Sequence, residues 1–171
     1  MPLRRMPGGG QPDYIYLAPL GSATAWPGAN QGIWIKVRFD KPTAATGILV
    51  PNGGTAAGNI KVGMYGTDGT NLTKLALSTG DTAMSGTSVG QSISFASPLL
   101  VSPFQDYYAF MASDSGTATF SRLITAAAPW TLPSRLAYLT TSVYATPPTS
   151  QAIAGLSGTS YIPSLAIITT G

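Results

Sequence analysis

From Ile33 onward apolar side chains return at every second position, in short runs cut off by glycine, asparagine and aspartate, and that rhythm restricts the chain to β structure. Ile33, Ile35, Val37 and Phe39 fall on one face of a strand, while Trp34, Lys36 and Arg38 fall on the other. Ile60, Val62 and Met64 alternate in the same way with Lys61, Gly63 and Tyr65, and Val89, Ile93 and Phe95 with Gly90, Ser92 and Ser94. Further strands are predicted over 45–50, 72–77, 107–112 and 117–124. Thr73, Gly69 and Gly80 weaken a helical reading of 71–77. Between the runs stand Pro51-Asn52-Gly53-Gly54, Thr67-Asp68-Gly69-Thr70, Ser85-Gly86-Thr87 and Asp114-Ser115-Gly116, which supply the turn geometries that hairpins require. Short strands at this spacing predict an all-β antiparallel sandwich or barrel.

A chain of 171 residues is sufficient for one core. Residues 1–30 carry Pro2, Pro7, Pro12, Pro19 and Pro27 with Gly8-Gly9-Gly10, a mixture that neither continues a helix nor pairs as a central strand. They are expected to form an extended N-terminal arm that is dispensable for folding and attaches the protein to a neighbour. Arg4 and Arg5 would meet acidic groups there, and Tyr14, Ile15, Tyr16, Leu17 and Trp26 would fill apolar grooves. Residues 31–171 are expected to form the sandwich domain. Its C-terminal part is rich in Pro, Ser and Thr, with strands at 136–143 and 165–170 that complete the sandwich or pack on a partner.

The chain has no Glu, no His and no Cys, and its six acidic residues are all aspartate. A serine or cysteine nucleophile usually takes its base from His, and zinc sites take His or Cys, so triads, zinc hydrolases and redox dithiols are excluded. No disulfide can form, which leaves packing or oligomerisation to supply stability. Charged residues are 9% of the chain, against the usual quarter, so neighbouring molecules are expected to cover part of its surface. The segment 1–7 has the charge of a secretory leader but runs into glycine, which argues against export by that route. No apolar run reaches the length of a membrane helix, and no membrane association is expected.

The remaining motifs have ordinary explanations. Asp81-Thr82-Ala83 and Asp114-Ser115-Gly116 look like the paired signatures of an acid protease, but both stand in turn sequence, where Asp and Gly serve local geometry. No catalytic residue, cofactor or metal site is therefore expected. Thr67-Asp68-Gly69-Thr70-Asn71 offers too few carboxylates for calcium and reads as a hairpin turn. Asn71-Leu72-Thr73 matches a glycosylation acceptor, a pattern that arises often by chance. The net charge of +3 is spread over Lys36, Arg38, Lys41, Lys61, Lys74, Arg122 and Arg135, without a nucleic-acid recognition motif. Trp34, pointing away from the core in the alternation above, and Trp130 are candidates for a subunit contact or a glycan platform. For Trp34 the contact is the preferred reading.

The run Asn59-Ile60-Lys61-Val62-Gly63-Met64-Tyr65 before an Asp-Gly turn is followed by the block Ser78 to Thr87, then Gln91-Ser92-Ile93, then Asp106-Tyr107-Tyr108-Ala109-Phe110. In order and spacing this part of the chain, about residues 31–124, resembles the β-sandwich modules of phage tail-fibre, minor structural and capsid-decoration proteins. Gly66 stands where those modules usually have Asp after the tyrosine, and Asp81 interrupts the second block. The resemblance implies a jelly-roll-like sandwich and a non-enzymatic structural protein of a bacteriophage virion, assembled in the host cytoplasm. Decoration or cement of the capsid, as a homotrimer bound to the major capsid protein or other virion proteins, is favoured by the small size, the start at Met1 and the lack of fibrous repeats. A tail-fibre or receptor-binding module recognising host surface glycan is the alternative.

Overall fold

The computed structural model describes residues 13–16, 23–122, 137–141, 143–159 and 162–170. Among these described residues fourteen strands follow in chain order. They are β1 (Asp13–Tyr16), β2 (Ala23–Ala25), β3 (Gly32–Arg38), β4 (Thr43–Pro51), β5 (Asn59–Thr67), β6 (Asn71–Leu77) and β7 (Thr82–Ala83). They continue as β8 (Gly90–Val101), β9 (Asp106–Ser113), β10 (Thr119–Ser121), β11 (Ala137–Thr140), β12 (Ser150–Ala152), β13 (Ser157–Gly158) and β14 (Ala166–Thr170). Helical structure among the described residues is confined to a single 3₁₀ turn at Ile153–Gly155.

The strands form an antiparallel β-sandwich, as the alternation predicts. A four-stranded sheet runs β1-β14-β4-β8, and an eight-stranded sheet runs β12-β6-β5-β9-β3-β11-β13 with β7 paired to β5. A two-stranded ribbon joins β10 to β2. The main core lies between the sheets. Ile33, Ile35 and Val37 of β3, Ile60, Val62 and Met64 of β5 and Ala109 and Met111 of β9 meet Ala45, Ile48 and Val50 of β4, Ile93 and Phe95 of β8 and Ile167 of β14. Each set follows every second residue of its strand, save that on β4 a register shift between Ala45 and Gly47 puts Ala45 and Ile48 on the same side, so one pleated face from each sheet is removed from water.

The turn between β5 and β6 is built as its sequence requires. Gly69 takes φ +90°, and the Asp68 carboxylate accepts the backbone N–H groups of Thr70 (2.8 Å) and Asn71 (2.7 Å). Those bonds hold the Asp68 carboxyl below its usual range. The carboxylate offered to calcium in a metal reading is thus committed to the turn.

The arm differs from expectation. β1 pairs antiparallel with β14, Tyr14 opposite Ile168, Ile15 opposite Ile167 and Tyr16 opposite Ala166, while β2 pairs with β10. Trp26 is 2% exposed, meets the Phe120 ring edge to face at 5.2 Å, and donates its indole N–H to the Gln31 carbonyl at 3.0 Å. Residues 13–16 and 23–30 are therefore part of the sandwich, and Trp26 fills its own core in preference to a groove on a neighbour. Proline spacing hid these strands, because each is only three or four residues long. Arg4, Arg5 and Leu17 lie outside the described residues.

Candidate interaction surface

The outward face of the eight-stranded sheet is closed by the chain itself. Trp34, Tyr65, Leu72, Tyr108, Phe110, Tyr138, Val143 and Tyr144 form a second buried cluster on that face. Residues 143–156 are fastened over it by side-chain donors: Tyr65 Oη to the Pro148 carbonyl (2.8 Å), Lys61 Nζ to Ala145 (3.2 Å) and Lys74 Nζ to Pro147 (3.4 Å). Trp34 does point away from the main core, but it is 0% exposed, so the subunit-contact and glycan readings of Trp34 are both corrected. A tryptophan opposite a core face meets water only if nothing covers the second face, and here the C-terminal residues cover it. Trp130 lies outside the described residues.

The two candidate acids are in structural use. Asp114 accepts the Asn59 backbone N–H at 2.6 Å through one oxygen and the Asn59 side-chain amide at 2.8 Å through the other. Gly58 stands beside it at φ +70°, and a methyl group there would collide with the Asp114 carboxylate. Asp81 pairs with Lys61 at 3.2 Å. The buried Tyr144 hydroxyl makes no well-formed hydrogen bond among the described residues but lies within electrostatic reach of Asp81. Tyr144 and then Lys61 hold the Asp81 carboxyl low, while burial and then Asp81 push the Tyr144 hydroxyl up. Asp106 is the other charged node, 2.6 Å from Lys36 Nζ and 2.7 Å from Arg38 Nη2. Burial opposes its ionisation, and the bonds and charges of Lys36 and Arg38 outweigh that. No three potential metal ligands cluster among the described residues.

The opposite sheet differs in charge. Lys36, Arg38, Lys61, Lys74 and Asp106 all belong to strands of the eight-stranded sheet. In the four-stranded sheet, β4, β8 and β14 carry no charged residue, and Asp13 at the outer end of β1 is the sheet's single charge. Ala45, Ile48, Val50 and Ile167 point into the core, which turns Ala44, Leu49, Ala166 and Ile168 outward. Ala166 and Ile168 are buried on that side, and the apolar exposure lies along β8. Among the described residues four large hydrophobic side chains are exposed, and three of them, Val89, Leu100 and Phe104, belong to β8 or its flanking turns.

The end of β8 and the turn that follows it hold the most exposed pair. Leu100, opposite Ala44 on β4, is 76% exposed, and Phe104 is 72% exposed. The turn is fixed from beneath: Phe104 donates its N–H to the Phe39 carbonyl (2.8 Å), and Ser102 donates its N–H to Tyr107 Oη (2.9 Å). The rings of Phe39 and Tyr107, both buried, stand 5.8 Å apart edge to face. Phe104 itself has φ +59°, a left-handed conformation that costs a non-glycine residue about 1–2 kcal/mol. The chain thus holds a large apolar side chain out in water on a pinned and strained turn. Exposed Asp40 and Lys41 supply polar neighbours on the adjoining β3–β4 connection, giving the apolar-centre, polar-rim pattern of an interface. Sequence reading passed over Leu100 and Phe104 because 98–105 breaks the alternation at Pro98 and Pro103. The signal available was the adjacent Leu99-Leu100-Val101, which cannot all face one core.

No protein-family model, curated protein or solved structure matches this chain.

Proposed function

We propose that this chain is a non-enzymatic structural protein of a bacteriophage virion, acting as a capsid decoration or cement protein. In this reading it is assembled in the host cytoplasm, bound to the major capsid protein or another virion protein, and organised as a homotrimer. The observation that carries it is the division of the sandwich into a charged sheet closed by its own C-terminal residues and a sheet nearly free of charge with Leu100 and Phe104 exposed at one end. A charge-free surface can be buried against a neighbour without leaving an unpaired ion, the main cost of polar contacts in assembly. The resemblance of residues 31–124 to virion sandwich modules points the same way. The commitment of Asp81 to Lys61 and of Asp114 to Asn59 supports a role without catalysis. Burial of Trp34 removes the side chain best suited to a glycan platform and favours decoration over receptor binding.

Reconstitution tests the reading. Purified protein added to phage particles assembled without it should co-sediment with them at a saturating ratio, and Leu100→Asp with Phe104→Asp should lower that ratio. Protein that stays in the supernatant at every concentration would contradict it.

A further inference from the structure

Asn52-Gly53 is the single Asn-Gly pair in the chain, and it follows directly on β4. An asparagine before glycine carries a reaction of its own, because the glycine nitrogen has no neighbouring side chain to screen it from the carboxamide carbon. The Gly53 nitrogen bonds to Asn52 Cγ, the Cγ–Nδ2 bond breaks, and Nδ2 leaves as ammonia with the proton from the Gly53 amide. Water then adds across one C–N bond of the resulting succinimide and leaves aspartate or isoaspartate.

The fold holds both reacting groups. Gly53 donates its N–H to the Thr119 carbonyl at 2.8 Å, which occupies the nucleophile. Asn52 is 1% exposed, and Nδ2 donates to the Ser85 carbonyl (2.7 Å), to Gln91 Oε1 (3.0 Å) and, at longer reach, to the Gly86 carbonyl (3.4 Å). Gln91 Oε1 also accepts the Ser85 N–H at 3.0 Å, while Gln91 Nε2 donates to the Ala83 carbonyl at 2.8 Å, so the orientation of both amides is fixed. The backbone joins the same loop: Asn52 donates to the Val89 carbonyl (3.0 Å) and Gly53 accepts from Ser88 (2.7 Å). Glycine is required at 53, because an added Cβ would stand 2.5 Å from Thr119 Oγ1, which the Thr55 N–H holds at 2.8 Å.

We propose that Asn52-Gly53 is a self-modification site gated by the fold, whose conversion releases the loop between β7 and β8 in one direction only. Reaction requires the Gly53 N–H to leave Thr119, so it proceeds through local opening. Once formed, a carboxylate at 52 faces three acceptor oxygens with no proton to offer them, and Oδ1 already lacks a donor among the described residues. The open loop therefore cannot reclose as before. This proposal stands independently of the virion reading.

The full chain, folded in buffer or unfolded in concentrated urea at mildly alkaline pH, tests it through the tryptic peptide carrying Asn52, assayed over time for isoaspartate and the mass gain of deamidation. Asn52 should convert at least roughly tenfold faster in urea than in the folded chain. Asn30, Asn59 and Asn71, none of them before glycine, should lag behind it in urea. Asn52→Asp should lower the thermal midpoint further than Asn52→Ala, which removes the same donors without adding charge, and should speed amide exchange at Ser85 and Ser88. Wild-type protein aged in buffer gives the same comparison without a variant: its converted fraction should unfold at lower urea than the unconverted one. Conversion as fast in the folded chain as in urea would overturn the gate. An aged, converted fraction that unfolds with the unconverted one, or an Asn52→Asp variant as stable as Asn52→Ala, would overturn the one-way release.

Discussion

Trp34 on β3 and Tyr65 on β5 meet edge to face with ring centroids 4.5 Å apart, on the side of the eight-stranded sheet that faces away from the main core. Phe110 on β9 completes the group at 4.5 Å from Trp34 and 5.6 Å from Tyr65. The large sheet thus carries a buried apolar cluster on each face, and burial pushes the Tyr65 hydroxyl up while its proton is donated to Pro148. Residues 143–156 are held by what lies beneath them.

Trp34→Ala is expected to destabilise the fold by about 3–5 kcal/mol, the range for truncating a buried aromatic. Trp34→Phe should cost clearly less, because the buried indole N–H has no hydrogen-bond partner among the described residues and its removal relieves a desolvation cost of roughly 1–3 kcal/mol. Urea unfolding of both variants checks this; equal losses would mean that the unpaired N–H carries no penalty.

Deleting residues 1–12 should leave the described fold intact, whereas deleting 1–30 should abolish cooperative unfolding. The longer deletion removes β1, β2 and Trp26, and with Trp26 the partner of Phe120. Thermal scans followed by near-ultraviolet circular dichroism distinguish the two, and a stable 31–171 fragment would show that the N-terminal strands are dispensable after all.

Gly58→Ala is expected to cost about 2 kcal/mol or more, since it forces a side chain into the left-handed region and onto the Asp114 carboxylate. Asp114→Ala should cost a similar amount through the two lost Asn59 bonds. The pair should be less than additive in the double variant, because both act on one contact. Full additivity in chemical denaturation would count against the coupling.

Stability should be level from neutral pH down to about pH 5 and fall as the pH drops through the range of the carboxyls, about 4 and below. The Asp68, Asp81 and Asp106 carboxyls are all held below their ordinary value in the folded chain. Their contribution is therefore complete above the unfolded value and lost as each is protonated in the folded state. Asp106→Asn should flatten part of that fall while lowering stability at pH 7 by no more than about 1 kcal/mol, as for an exposed pair. With no His in the chain, a transition centred near pH 6.5 would have no source in the described groups.

How far the fold can be read in advance depends on burial on two sides. For β3, β5 and β8 the alternation identifies the core face, because Ile33, Ile60 and Ile93 each begin a period-two series toward the other sheet. It leaves the second face open, and Trp34 reads as outward when it is outward and covered. The warning lay in β9, where Tyr107-Tyr108-Ala109-Phe110-Met111-Ala112-Ser113 is buried at every position, the continuous run of a strand covered on both sides. The prolines of 1–30 obscure β1 and β2, whose pairing depends on β14 and β10, more than ninety residues away along the chain. Leu100 and Phe104 are invisible to periodicity, because their exposure follows from the jump in register between β4 and β8 and from the left-handed φ at Phe104.

Imaging the particles themselves tests the central proposal most directly. Under the proposal a phage encodes this chain, and its virions, labelled with an antibody raised against the folded protein and viewed in negative stain, should carry label at regularly spaced positions on the head. Unlabelled particles whose purified proteins yield no peptide of this chain would contradict the proposal, and label confined to the tail tip would replace decoration with receptor recognition.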